Sequence, residues 1–258
     1  MSQAVTTSKS RLTALARAEM TLLGRSKGTL FAALFVPLML PFTVLSVVGE
    51  MDLEEAGLTV GTVVLPAAVG FSLLFAVYSA LVGIFVTRRE ELVLKRLRTG
   101  EVRDVEILAG ASLPAVTIGF VQCLVLTVGC AALLDVSAPQ APHLVALGLL
   151  SGLVMCAALA AVTASFTRTV ESAQVTSMPL LLVSMMGSGI AVPLEMLPDR
   201  LASVCELLPL SPVIRLVRDG WTGDLSAYET LGAVVTAVAW TVLALFGVRR
   251  WFRWEPRR

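Results

Sequence analysis

Apolar residues along this chain gather into six long runs, and charged residues collect almost entirely in the joints between them. A helix that crosses about 30 Å of hydrocarbon needs about 20 predominantly apolar residues. Six segments meet that requirement: Leu30–Val48, broken by Pro37 and Pro41; Leu58–Val86, long enough to tilt or kink near Pro66; Ile107–Leu134, with Pro114 near its start; His143–Phe166; Val175–Val192; and Thr230–Val248. The pattern predicts an all-α polytopic membrane protein with six transmembrane helices in a single domain over residues 1–258, and the lipid bilayer as its first partner. The first run lies too far into the chain, and lacks the small-residue cleavage site, to be a secretory leader.

The joints carry a second pattern. Residues 10–27 place Leu12, Leu15, Ala16, Leu22 and Leu23 at intervals of three and four, with Arg11, Arg17 and Arg25 elsewhere. That spacing predicts an amphipathic interfacial helix. The stretch Arg88–Arg98 reads as one charged helix, with Glu91 and Lys95 in the favourable i, i+4 order and Val93, Leu94 and Leu97 on a narrow apolar face. Thr99-Gly100 ends it. A charged helix with one apolar face between two spans suits docking to a soluble partner. Residues 193–229 keep many apolar side chains but are punctuated by Pro198, Pro209 and Pro212, so no piece is long enough to span. Two short outer re-entrant helices, buried against the bundle, would satisfy both facts.

Basic residues set the orientation. Seventeen fall in the N-terminal segment, the second-to-third and fourth-to-fifth joints and the tail; only Arg200, Arg215 and Arg218 fall in the opposite set. Both termini are therefore expected in the cytoplasm and the chain in the cell membrane, the bacterial inner membrane being the setting expected. Trp251 and Trp254, interleaved with arginine, fit an anchor at the membrane interface.

Composition narrows the function. The chain is 56% hydrophobic and 15% charged, with a mean hydropathy of +0.84. A net charge of +1 gives no support to a nucleic-acid partner. The single histidine excludes most histidine-based metal sites and weighs against a Ser-His-Asp hydrolase. Cys123, Cys130 and Cys156 lie in apolar runs without the spacing of a zinc site. Small residues at four-residue spacing, Ala111, Ala115, Gly119 and Cys123 in the third span and Gly148, Gly152, Cys156, Ala160 and Ala164 in the fourth, form ridges for close helix approach, within one subunit or across a dimer seam. Polar groups inside the spans are few: Gln122, Ser184 and Ser188, with Glu171 flanking the fifth. No span carries a carboxylate or lysine near its centre, which weighs against an ion-coupled secondary transporter.

Two segments resemble those of a known family. Arg88-Arg89-Glu90-Glu91, followed by Leu94-Lys95-Arg96-Leu97-Arg98-Thr99-Gly100 and Ile107-Leu108-Ala109-Gly110, is similar to the arginine-glutamate loop, short helix and third-span start of ABC-2 type ABC transporter membrane subunits. The proline-punctuated run Pro193-Leu194-Glu195-Met196-Leu197-Pro198, Leu208-Pro209-Leu210-Ser211-Pro212 and Arg218-Asp219-Gly220 resembles the family's segment before the last span. The likeness extends to its daunorubicin-exporter-like members. Family members often place a glycine just after the arginine-glutamate pair, where this chain has Glu91-Leu92.

The resemblance implies a permease rather than an enzyme. Two membrane subunits, identical or related, pair and each docks an ATPase through the interfacial helix and a coupling helix, here Arg88, Arg89, Glu90, Glu91, Leu94, Lys95 and Leu97. The chain has no G-x-x-x-x-G-K-[ST] loop, so ATP and Mg are expected on a separate ATPase chain. A lipophilic or amphipathic substrate (a drug, lipid or peptide natural product) would move outward past the first, second and fifth spans. Met39, Phe42, Phe71, Phe75, Tyr78, Met185 and Met186 are adaptable wall candidates there. An ion-coupled transporter and a non-transporting scaffold or sensor subunit are the alternatives.

Overall fold

The computed structural model describes Thr21, Met39 and residues 59–98, 103–134, 136–223, 226–252 and 254–255. The interfacial helix expected over residues 10–27 and the first span, Leu30–Val48, lie outside these residues apart from Thr21 and Met39. The described chain is helical, and four of its helices are long and apolar enough to cross a membrane: α1 (Val60–Glu90), α3 (Asp104–Leu133), α4 (Pro142–Phe166) and α8 (Ala227–Trp251). Between them lie α2 (Val93–Arg98), α5 (Val170–Gly187), α6 (Asp199–Cys205) and α7 (Ser211–Thr222).

Side-chain caps set where the helices start. The Thr59 hydroxyl accepts from the Thr62 amide to start α1, and Thr169 and Ser226 do the same for α5 and α8. Thus α5 begins five residues ahead of the expected fifth span, taking Glu171 into its first turn, and ends at Gly187, where the chain turns through Gly189 at φ 74°. With Glu171, Gln174 and Pro179 in its 18 residues, α5 is shorter and more polar than the four long helices.

Helix α1 is the centre of the bundle. From Val63 to Ser72 it is buried on all sides, and its middle, Leu73–Ser79, winds as a π-helix. The ridges of small residues are spent inside the subunit. A Cβ on Gly119 of α3 would lie 2.2 Å from Cγ2 of Val77, and one on Gly152 of α4 would lie 2.7 Å from Leu73 and 2.9 Å from Val213. Helix α7 lays Val213, Ile214, Leu216 and Val217 against α1 and α4. The Trp221 indole donates to the Ser137 carbonyl at 2.8 Å, tying the end of α7 to the α3–α4 joint. Helix α6 buries none of its residues. The opposite face of α3, with Val121, Leu124, Val125 and Val128 exposed, suits contact with lipid.

The charged helix expected over Arg88–Arg98 is two pieces. Helix α1 runs on to Glu90, Glu91 and Leu92 form a turn, and α2 begins at Val93. Leu92 has φ 59°, the left-handed conformation that glycine adopts most easily. The break undoes the expected Glu91–Lys95 pair: Lys95 instead meets Glu255 of the tail, Nζ to Oε1 at 2.9 Å.

Candidate functional site: the Arg89–Glu90 corner and the charged cavity

The basic end of α1 brings together two helix ends. Arg89 is 1% exposed. Its Nη1 donates to the Ala164 carbonyl at 2.8 Å, and its Nη2 to the Thr167 carbonyl at 2.5 Å and the Arg168 carbonyl at 3.4 Å. These carbonyls belong to the C-terminal end of α4 and its exit, where the helix dipole and unpaired carbonyls favour a cation. The next residue does the converse. Glu90 Oε1 accepts from the Val170 amide at 3.2 Å, at the N-terminus of α5, where amides and dipole favour an anion. One Arg-Glu dipeptide thereby holds the three-residue joint between α4 and α5 from both sides.

The seven residues expected to form the coupling face therefore divide. Glu90, Glu91 and Lys95 are exposed, Arg88 and Leu97 are half-buried, and Arg89 and Leu94 are buried in the chain itself. Buried where it stands, Arg89 joins the end of α1 to the α4–α5 joint. Leu94 seats α2 on the bundle, and Arg98 ties it to the start of α3 through Asp104, Nε to Oδ1 at 3.2 Å.

The wall candidates do not form one surface. Phe71 and Tyr78 are buried within the subunit. Tyr78 shares a hydrogen bond of 3.0 Å with the Thr163 hydroxyl, a polar tie between α1 and α4 in an apolar setting. Phe71 stacks on the half-buried Phe75, ring centroids 6.3 Å apart. Met185 packs against the core, while Met186 and Met39 are exposed. Phe42 lies outside the described residues.

At the opposite end of the bundle is a feature the sequence reading missed. A cavity of about 600 Å³ opens between the end of α5, the turn before α7, α7 itself and the start of α8, and its charged lining is Glu195, Glu206, Arg215, Arg218, Asp219 and Glu229. Arg215 reaches three carboxylates: Glu229 at 3.1 Å, and Glu206 and Asp219 at 3.4 Å each. Arg218, buried, pairs through Nη1 with Glu195. Burial pushes the Asp219 carboxyl up to about 6, against the pull of Arg215 and Arg218. The available signal was the survival of three arginines and six carboxylates, two and four of which line the cavity, within a stretch otherwise apolar enough to be buried.

Compared with protein families, residues 10–221 match the ABC-2 type transporter family. The chain belongs to that family. The match takes in α1 to α7 and stops before α8. No individually curated protein matches it. As an ABC-2 protein it is a multi-pass membrane component of an ABC transporter, a permease of a family that is generally not itself catalytic and normally works with an ATPase partner.

Proposed function

We propose that this ABC-2 permease is the export half of an ATP-driven pump, moving a lipophilic or amphipathic substrate outward in the manner of the daunorubicin-exporter-like group. Its ATPase is a separate chain that carries the ATP and Mg and docks on the exposed side of α2 together with the interfacial helix of residues 10–27. Six spans with both termini in the cytoplasm, in a bacterial inner membrane, place that face inside and the charged cavity outside. Two permease subunits pair to make the path, to which the exposed Met39 and Met186 contribute, while α6 and α7 form the outer re-entrant segment.

The observation that carries this reading is the Arg89–Glu90 tie. A push on α2 reaches α1 directly through the Glu91–Leu92 turn, and through Arg89 and Glu90 it reaches α4 and α5 in the same movement. The described spans bury no carboxylate near their centres, which favours an external energy source over ion coupling. Affinity purification from the native membrane, with mass spectrometry and an ATPase assay of what co-purifies, tests the proposal. A stoichiometric nucleotide-binding partner is the expected result. A chain that purifies alone, from membranes without such a partner, would return the scaffold reading.

A further inference from the structure

Trp254 and Glu255, past the end of α8, lie against α2. Past α8, Trp254 stands under the Arg98 guanidinium, Cζ 5.0 Å from the ring centroid. Glu255 meets Lys95, one helical turn from Arg98 on the same side of α2. Phe252 joins this patch to α1, packing edge-on against Trp254 at 5.0 Å and against Phe85 at 6.3 Å. Trp251, at the end of α8, packs at 5.8 Å against Phe166 at the end of α4. The tryptophan that the sequence marks as an interfacial anchor is thus engaged with the protein's own short helix. The tail leaves Leu92 and Arg96, on the other side of α2, exposed.

We infer that Trp254 and Glu255 are positioning residues for α2, forming a strap that joins it to the last membrane helix. The inference rests on α2 being the helix an ATPase docks on. Attachments that hold α2 among the described residues include Leu94 in the core, Arg98 on Asp104, and the strap on Lys95 and Arg98. The first two lead into α1 and α3. The strap leads into α8, whose other end lines the charged cavity. There Glu229 pairs with Arg215, and the Trp240 indole donates to the Leu207 carbonyl at 2.8 Å. Since α8 is one uninterrupted helix of 25 residues, a displacement of α2 is delivered by the strap to the cavity at the far end. This adds a second route to the Arg89–Glu90 tie, running through different residues.

The contact and its role are tested separately. With Lys95→Cys and Glu255→Cys in the full chain, oxidation in native membranes should give an intramolecular disulfide, whether or not an ATPase is present. No cross-link would overturn the strap itself. The role is read in the complex of permease and ATPase, reconstituted in nanodiscs, from a thiol at the cavity. Thr236→Cys, with Cys205→Ser, is labelled by a hydrophilic maleimide with and without trapping by ATP and vanadate. Trapping should change the labelling rate at least threefold. Trp254→Ala should cut that change to less than half while trapping itself persists, since a cation–π contact and an exposed ion pair each shift an equilibrium by about two- to fivefold. Trp254→Phe should retain most of it, and the exchange Lys95→Glu with Glu255→Lys should recover what either single change loses. An unchanged response in Trp254→Ala, or no response in the trapped parent, would overturn the role. A chain that assembles with no ATPase would instead overturn the docking reading, and the cross-link would still report on the strap.

Discussion

The two ends of this bundle each hold a buried arginine, and the partners it meets there differ in kind. Arg89 spends its charge on backbone carbonyls at a helix end. Arg218 spends its on a carboxylate, Glu195, beside a cavity where three more carboxylates surround Arg215. Backbone carbonyls do not titrate, so the contacts of Arg89 with Ala164 and Thr167 hold across pH as long as the helices keep their ends. A half-exposed carboxylate side chain can change rotamer, so the pairing at Arg218 can open and reorganise. The end assigned to force transmission is built from fixed partners, and the end assigned to release from adjustable ones.

The largest test of this contrast is Arg89→Gln. Removing a charged donor from two buried carbonyls should cost about 3 kcal/mol, read as reduced resistance to chemical unfolding of the purified protein in mild detergent. Arg89→Lys should recover little, because an ammonium lacks the planar fork that reaches Ala164 and Thr167 together. Arg218→Gln should cost less, about 1–2 kcal/mol, since the Glu195 carboxylate it releases is already 44% exposed and can turn to water. Equal losses at the two sites would erase the distinction.

The third test is pH. The Asp219 carboxyl titrates at about 6 in the folded chain, above the ordinary aspartate value of about 4. Between these values the folded state binds the extra proton, so stability should rise as pH falls through 6 and level off near 4. Melting temperatures across this range should show that slope in the parent and a loss of Asp219's share of it in Asp219→Asn, while a change confined to the Arg89 end leaves the slope in place. The smallest effect is expected at Leu92. Its left-handed backbone costs a leucine about 1–2 kcal/mol, and glycine relieves this while losing about 0.5–1 kcal/mol of unfolded-chain entropy. Leu92→Gly should therefore raise stability by about 0.5 kcal/mol, visible as a small increase in melting temperature. A decrease would mean that the leucine side chain does more for the corner than its backbone costs.

What the sequence revealed and what it hid follow one division. The membrane helices α1, α3, α4 and α8 were legible because an unbroken run of about 20 apolar residues has few other uses. Their ends were less so, since Thr169 and Ser226 cap from outside the apolar run. The coupling residues were picked out by motif, yet nothing near Arg89 says that it is buried. Its acceptors are main-chain carbonyls 75 and 78 residues further on, and a carbonyl carries no sequence signature. The same holds for Tyr78, marked as a path residue from its type and found tied to Thr163 inside the subunit. In the tail, a tryptophan among arginines suits a lipid interface and a cation–π contact alike, so the contact of Trp254 with Arg98 had no signature of its own. The cavity needed Glu195, Arg215 and Glu229 to be brought together from three elements, which only the fold supplies.

The adjacency of Arg89 and Glu90 has a mechanical consequence. Successive residues on an α-helix point about 100° apart, so the two side chains reach opposite ends of the α4–α5 joint at only one rotational setting of α1. Turning the helix in either direction withdraws both together. The corner thus sets two charged contacts at once against any small rotation of α1.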